Sequence, residues 1–300
     1  MKQASPNDMM EMLRRYDTWV FDCDGTLWRG QALIEGVADA LQLLRDLGKK
    51  VLFVTNNSTK SRKAFKVKFD QLQLPVDQAE IYSSSHSAAA YLQSIGFKKK
   101  AYVCGERGIM EELAAAGIAA VGGPDDNDRR LEGRPVEIDP EIGAVVCGAD
   151  PGLSYFKVTY ASLCLRHNPG CLFIATNTDS RGHFIEKQEW PGAGATVAAV
   201  QAVVGMEPIV TGKPSPFMLR DVCAAHATTP DRMIMVGDRL DTDIAWGHAT
   251  GMATLLVLTG ITGRDDLAAE WGRPGFQRPD YVMASFGDLM GISAAARAAA

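Results

Sequence analysis

Short apolar runs in this chain alternate with amphipathic stretches, and several of the runs stop at a cluster of small polar or acidic residues. Thr18-Trp19-Val20-Phe21 ends at Asp22-Cys23-Asp24-Gly25-Thr26, and Val51-Leu52-Phe53-Val54 ends at Thr55-Asn56-Asn57. Arg232 to Val236 ends at Gly237-Asp238, and further runs occupy 254–258 and 281–283. Between the first two, residues 35–48 place apolar side chains at helical spacing and stop at Gly48, a plausible C-cap. Helices are expected over about 61–72 and 84–94 as well. Strand–helix–strand alternation requires right-handed crossovers, so a mostly parallel sheet covered by helices follows. Runs that are apolar throughout, rather than alternating, fit strands buried on both faces.

The middle of the chain repeats this style. Ala101-Tyr102-Val103-Cys104-Gly105 and Ala144-Val145-Val146-Cys147-Gly148 each precede a helix, and Leu172 to Asn177 precedes a third, from Gly194 to Val204. Residues 122–139 are polar and rich in turn formers, and read as a surface loop. The expectation is a doubly wound α/β core, formed by 1–97 and 209–300, with a smaller α/β domain inserted as 98–208. A length of 300 residues suits two such units.

Charge and composition exclude some classes. Lys+Arg 31 against Asp+Glu 36 gives a net charge of -5, with no basic block beyond Lys98-Lys99-Lys100, which disfavours nucleic acid as a partner. No run of about 18 apolar residues marks a membrane span. Six cysteines stand scattered without a CxxC pair, as expected of reduced thiols in an intracellular protein. The first residues lack the apolar core of a secretory signal.

The polar clusters carry the chemistry. Asp22 and Asp24 lie at the C-terminal end of a strand, where open α/β sheets place ligands. Two carboxylates so close repel, and a hard divalent cation is the simplest compensation. Thr55, Asn56 and Asn57 offer hydroxyl, amide and backbone donors suited to phosphate oxygens. Lys213 supplies one cation just before Pro214, read as the start of a helix. Asp238 could hold a metal with Asp243 behind it to orient the site. Each cluster alone has an ordinary turn or cap as its plainer reading; their joint occurrence, in this order at the mouths of strands, does not.

FDCDGTLW (21–28), VTNNS (54–58), TGKPSP (211–216) and VGDRLDTDI (236–244) resemble the four motifs of the haloacid dehalogenase superfamily. Asp24 favours its phosphatase branch. The resemblance implies Asp22 as a nucleophile that forms an aspartyl-phosphate, Asp24 as general acid and base, and Thr55 and Lys213 on the transferring phosphoryl group. It implies Mg2+ held by Asp22, by the backbone carbonyl of Asp24 and by Asp238. About thirty residues separate Asp24 from Thr55, and the long gap falls between Thr55 and Lys213. That spacing is similar to the C2a caps of the p-nitrophenyl phosphatase and NagD-like branch. Within it, residues 175–179 and WPGAGATVAAV (190–200) look most like the phosphoglycolate phosphatases of plants and algae.

Such a resemblance implies hydrolysis of 2-phosphoglycolate, with pyridoxal 5′-phosphate or a broad range of small phosphate esters as the alternative. A catalytically inactive phosphate-binding protein on this fold is the reading from another class. It further implies a homodimer through the cap, and placement in the chloroplast stroma for a processed plant or algal chain or in the cytoplasm otherwise. Specificity is expected from a cap loop over 178–191, with Arg181 and His183 as candidates for a substrate carboxylate. Trp28 and Trp190 read as packing residues, and Cys23, between two aspartates, as a poor thiolate.

Overall fold

The computed structural model describes residues 3–185 and 188–292, except for the side chains of 183–185. Six parallel strands form the first sheet, in the spatial order 281–283, 253–257, 233–237, 18–21, 50–55 and 81–83. Alternation along the strands sends Trp19, Phe21 and Phe53 to one face, where they pack with the helices 6–15, 37–46 and 62–71. Val20, Leu52 and Val54 face the other way, against Met218, Leu219, Val222 and Trp246. Both faces are thus covered by apolar side chains, which is why these runs carry almost no polar residue.

A second sheet has the order 209–210, 172–175, 142–147, 100–104 and 120–122, again parallel throughout. An antiparallel hairpin, Arg181–Ile185 with Gln188–Pro191, projects from it toward the first sheet's strand ends. The segment expected as a loop is therefore a hairpin. No helix among the described residues is long and apolar enough to cross a membrane.

Packing and pairing around the second sheet also draw in residues outside 98–208. The helix Ser84–Ser94 buries Ala88, Ala89 and Leu92 with Ala101, Val103 and Val146 of the second sheet. Ile209–Val210 extends that same sheet. A further helix, Pro6–Arg15, precedes the first strand. Ser5 caps it in a reciprocal box with Asp8, and Met12 and Leu13 are fully buried.

An ion network stitches the units together. Glu112, buried in the second unit, accepts from the Arg62 backbone N–H at 2.6 Å and lies 3.4 Å from His86 Nδ1, while His86 Nε2 lies 3.2 Å from Asp221. Burial alone would lower the His86 pKa, but hydrogen bonds to Asp221 and Glu112 outweigh it and the net shift is upward. A raised folded-state value means that the protonated form stabilises the fold. That contribution is complete below about pH 6.5, the ordinary histidine value, and is lost as pH rises through the folded-state pKa. Thermal melts of His86→Asn should therefore show their largest deficit against wild type near about pH 6, narrowing as the medium becomes alkaline. A deficit that widens with pH would contradict this sign.

Candidate active site

Asp22, Thr55 and Asp238 stand at the C-terminal ends of three adjacent strands, 18–21, 50–55 and 233–237. Lys213 arrives differently. It follows the second sheet's strand 209–210, and the helix after it begins at Phe217 rather than Pro214. Its side chain, 1% exposed, donates from Nζ to Asp22 Oδ1 at 2.6 Å, to Asp243 Oδ1 at 2.6 Å and to the Val54 carbonyl at 3.0 Å. Asp243 Oδ2 in turn accepts from the backbone N–H groups of Asp238 and Arg239, each at 3.1 Å.

Both oxygens of Asp243 are occupied, so it orients Lys213 and the 238–239 turn. Asp238 Oδ2 accepts from the Ile261 N–H at 2.6 Å, and Thr26 Oγ1 lies 3.4 Å from Oδ1. Gly25, at φ +88°, and Gly260 let backbone close on this carboxylate, since a Cβ would come within 2.7 Å and 1.9 Å of Asp238 Oδ2 respectively.

Carboxylate oxygens of Asp22, Asp238 and Asp243 lie within 4.8 Å of one another, and all three residues are buried. One ammonium faces these three carboxylates. Burial, opposed by Lys213, leaves Asp22 well above the usual carboxylate range. Burial and then the Asp243 charge push Asp238 up to about 7. Burial works against the Lys213 charge, but Asp22 and Asp243 outweigh it and hold the ammonium protonated. Such a set favours a further cation, and its donors are hard oxygens of the kind a divalent ion takes. Among the described residues Asp22 Oδ2 accepts no hydrogen bond, which leaves one oxygen for that ion or for attack.

Asp24 also lines the cleft, with its carboxylate held by Trp28 Nε1 at 2.7 Å and Asn57 Nδ2 at 3.3 Å. Thr55, 2% exposed, accepts the Asn57 N–H on its hydroxyl oxygen at 3.1 Å and keeps its own proton to donate. The Asn56 side-chain amide is engaged with neighbouring protein groups. Its Oδ1 accepts the Lys213 N–H at 2.9 Å, while Nδ2 donates to the Lys213 carbonyl at 2.9 Å and to Asp179 at 3.0 Å. It fixes the lysine's backbone and ties the two units together.

The cleft is also lined by Ala149, Asn177, Asp179 and the base of the hairpin. Arg181 sits at its rim, exposed and paired with Glu189 at 2.7 Å. The His183 side chain lies outside the described residues. Arg239, whose importance was not legible, makes a forked pair with Asp241 and reaches the Arg181 carbonyl at 2.8 Å. Its place inside the VGDRLDTDI run was the available signal. Trp190 is 42% exposed and bonds Gln188 at 3.2 Å within the hairpin.

Two family models match the chain: the haloacid dehalogenase-like hydrolases over residues 19–119, and a HAD-hydrolase-like family over 210–289. Phosphoglycolate phosphatase 2 of Arabidopsis thaliana is 46% identical over 95% of this chain and 96% of its own length. The chain belongs to the haloacid dehalogenase-like hydrolases. Phosphoglycolate phosphatase 1A, chloroplastic, of the same plant is 46% identical over 95% of this chain and 79% of its own. The structure of p-nitrophenyl phosphatase from Archaeoglobus fulgidus matches with a TM-score of 0.79 at 31% identity, covering 93% of this chain and 99% of that one. Glycerol phosphate phosphatase Rv1692 from Mycobacterium tuberculosis, solved in complex with calcium, gives 0.75 at 30%, covering 93% and 76%.

Burial also settles the character of the cysteines. Cys23 is fully enclosed, and burial followed by the charges of Asp22 and Asp24 pushes its thiol well up. Cys104, Cys147, Cys164 and Cys171 are buried as well, and Cys223 partly so.

Proposed function

We propose that the protein is a Mg2+-dependent phosphomonoesterase that hydrolyses 2-phosphoglycolate to glycolate and phosphate. The observation that carries this reading is the buried Asp22–Lys213–Asp243 chain beside Asp238, in a protein similar over nearly its whole length to phosphoglycolate phosphatases. Asp22 attacks phosphorus, and Lys213, 2.6 Å from its carboxylate, offsets the repulsion between nucleophile and phosphate. The Thr55 hydroxyl donates to an equatorial oxygen, where stabilisation is chiefly electrostatic. Asp24 gives a proton to the leaving oxygen and then takes one from the water that cleaves the aspartyl-phosphate. Asp22, Asp238 and the Asp24 carbonyl would hold Mg2+, which supplies charge neutralisation at the phosphate when bound.

Arg181 and His183 on the hairpin take the substrate carboxylate in this reading, so Arg181→Ala should raise KM more than it lowers kcat. A cap-to-cap homodimer belongs to the same proposal, as does a stromal location for a plant or algal chain and a cytoplasmic one otherwise. Glycerol phosphate is the second reading, favoured by the structural match to a glycerol phosphate phosphatase. Steady-state phosphate release with Mg2+ separates them, on 2-phosphoglycolate, glycerol phosphate, pyridoxal 5′-phosphate and p-nitrophenyl phosphate. A kcat/KM for 2-phosphoglycolate at least about tenfold above the rest, or about 1.4 kcal/mol, is expected. EDTA should abolish all four activities and Mg2+ restore them. A flat profile, or a preference for another ester, would overturn the substrate assignment.

A further inference from the structure

The buried face of the helix Arg62–Gln71 carries Phe65, Phe69 and, unexpectedly, Lys68. The Lys68 side chain is 9% exposed, and its Nζ stands 4.1 Å from the Trp28 ring centroid and 3.6 Å from Asp24 Oδ1. Trp28 is fully buried and pinned edge-on by Phe69 at 5.0 Å, and its Nε1 donates to the same Asp24 oxygen. An apolar side chain would fill this position at less cost, since desolvating an ammonium is expensive and a buried ion pair adds little over a hydrophobic isostere. Packing explains the aromatic rings. It does not explain a cation aimed at a carboxylate that lines the cleft.

We propose that Lys68 and Trp28 are positioning residues for proton transfer to the leaving group. Together with Asn57 they hold the Asp24 carboxyl in one orientation and stabilise the charge it acquires when its proton departs. This role presupposes Asp24 as the acid, as proposed above. In that step Asp22 forms its bond to phosphorus and the bond from phosphorus to the leaving oxygen breaks. The electron pair stays on that oxygen, which receives the proton from Asp24. The new carboxylate is met by the Lys68 ammonium and by the Trp28 and Asn57 N–H groups, all preorganised.

The demand for this proton depends on the leaving group. An alkoxide needs it, whereas p-nitrophenolate departs without it. The measurement is kcat/KM, which covers events up to loss of the leaving group, on 2-phosphoglycolate, glycerol phosphate and p-nitrophenyl phosphate. Lys68→Met should lose on the order of 10²-fold on the alkyl esters and at most about threefold on p-nitrophenyl phosphate, within the range ascribed to general acids. Lys68→Arg, which keeps the cation, should recover most of the loss. Trp28→Phe, which keeps a ring and removes the N–H, should show the same pattern at smaller size, and carries the test if Lys68→Met does not fold.

Equal losses on all three esters, or none on any, would overturn the positioning role. Asp24→Asn is run alongside. If it too is indifferent to the leaving group, the assignment of Asp24 as acid falls. If it discriminates and Lys68→Met does not, only the role of Lys68 falls.

Discussion

Asp22→Asn is expected to abolish turnover, by on the order of 10⁴- to 10⁶-fold, without loss of thermal stability. The first half follows from removing the attacking oxygen, because a site that acts as a unit loses nearly everything with its nucleophile. The second half follows from electrostatics. Asp22 is raised well above its ordinary range chiefly by burial, so its charged form destabilises the fold at neutral pH. An isosteric amide relieves that charge and still leaves Lys213 paired with Asp243 at 2.6 Å. In EDTA the variant should melt at the same temperature as wild type or higher, an instance of stability sacrificed for activity. Residual activity within about tenfold of wild type, or a large fall in melting temperature, would contradict this account.

Lys213→Met should be inactive too, but with the opposite stability effect. Its ammonium is the shared partner of Asp22, Asp243 and the Val54 carbonyl, all in a buried setting. Removing it leaves carboxylates facing one another without a counter-charge, a loss of about 3–5 kcal/mol for a broken buried pair. On a chain of 300 residues that corresponds to a melting temperature lower by roughly 5–8 °C. The double variant Lys213→Met/Asp243→Asn should recover part of the stability and none of the activity, because the two residues share one network. Simple additivity of the two stability losses would show that they are not coupled. Together the two single variants separate the opposing roles in one hydrogen-bonded pair: the acid raises the energy of the site and the base lowers it.

The parts of this site legible in the sequence were those set by strand ends. Asp22, Thr55 and Asp238 each terminate an apolar run, and parallel alternation brings such ends to one edge of a sheet. Asp243 was legible by its spacing from Asp238. Lys213 was recognised but not its route, since a two-residue strand, Ile209–Val210, is too short to declare its sheet. The task of Asn56 depends on Lys213 backbone groups 157 positions away, which no local pattern encodes. Lys68 had a visible signal: a lysine three residues after Phe65 and one before Phe69, on the face that the helix buries. Its partner Trp28 was read correctly as packed, while the bond from its indole to Asp24 needed coordinates. The hairpin of Arg181–Ile185 with Gln188–Pro191 was hidden because its short arms mix polar and apolar residues without regular alternation, and only cross-strand pairing defines it.

The covalent route through Asp22 is tested most directly in Asp24→Asn enzyme, where the second half of the reaction is slowed. The variant is mixed with p-nitrophenyl phosphate and Mg2+, quenched in acid, digested, and its peptides weighed. The account predicts a stoichiometric burst of p-nitrophenolate together with one added phosphoryl mass on the peptide that carries Asp22. A burst with the phosphoryl group on another residue, or with none on the Asp22 peptide, would contradict it.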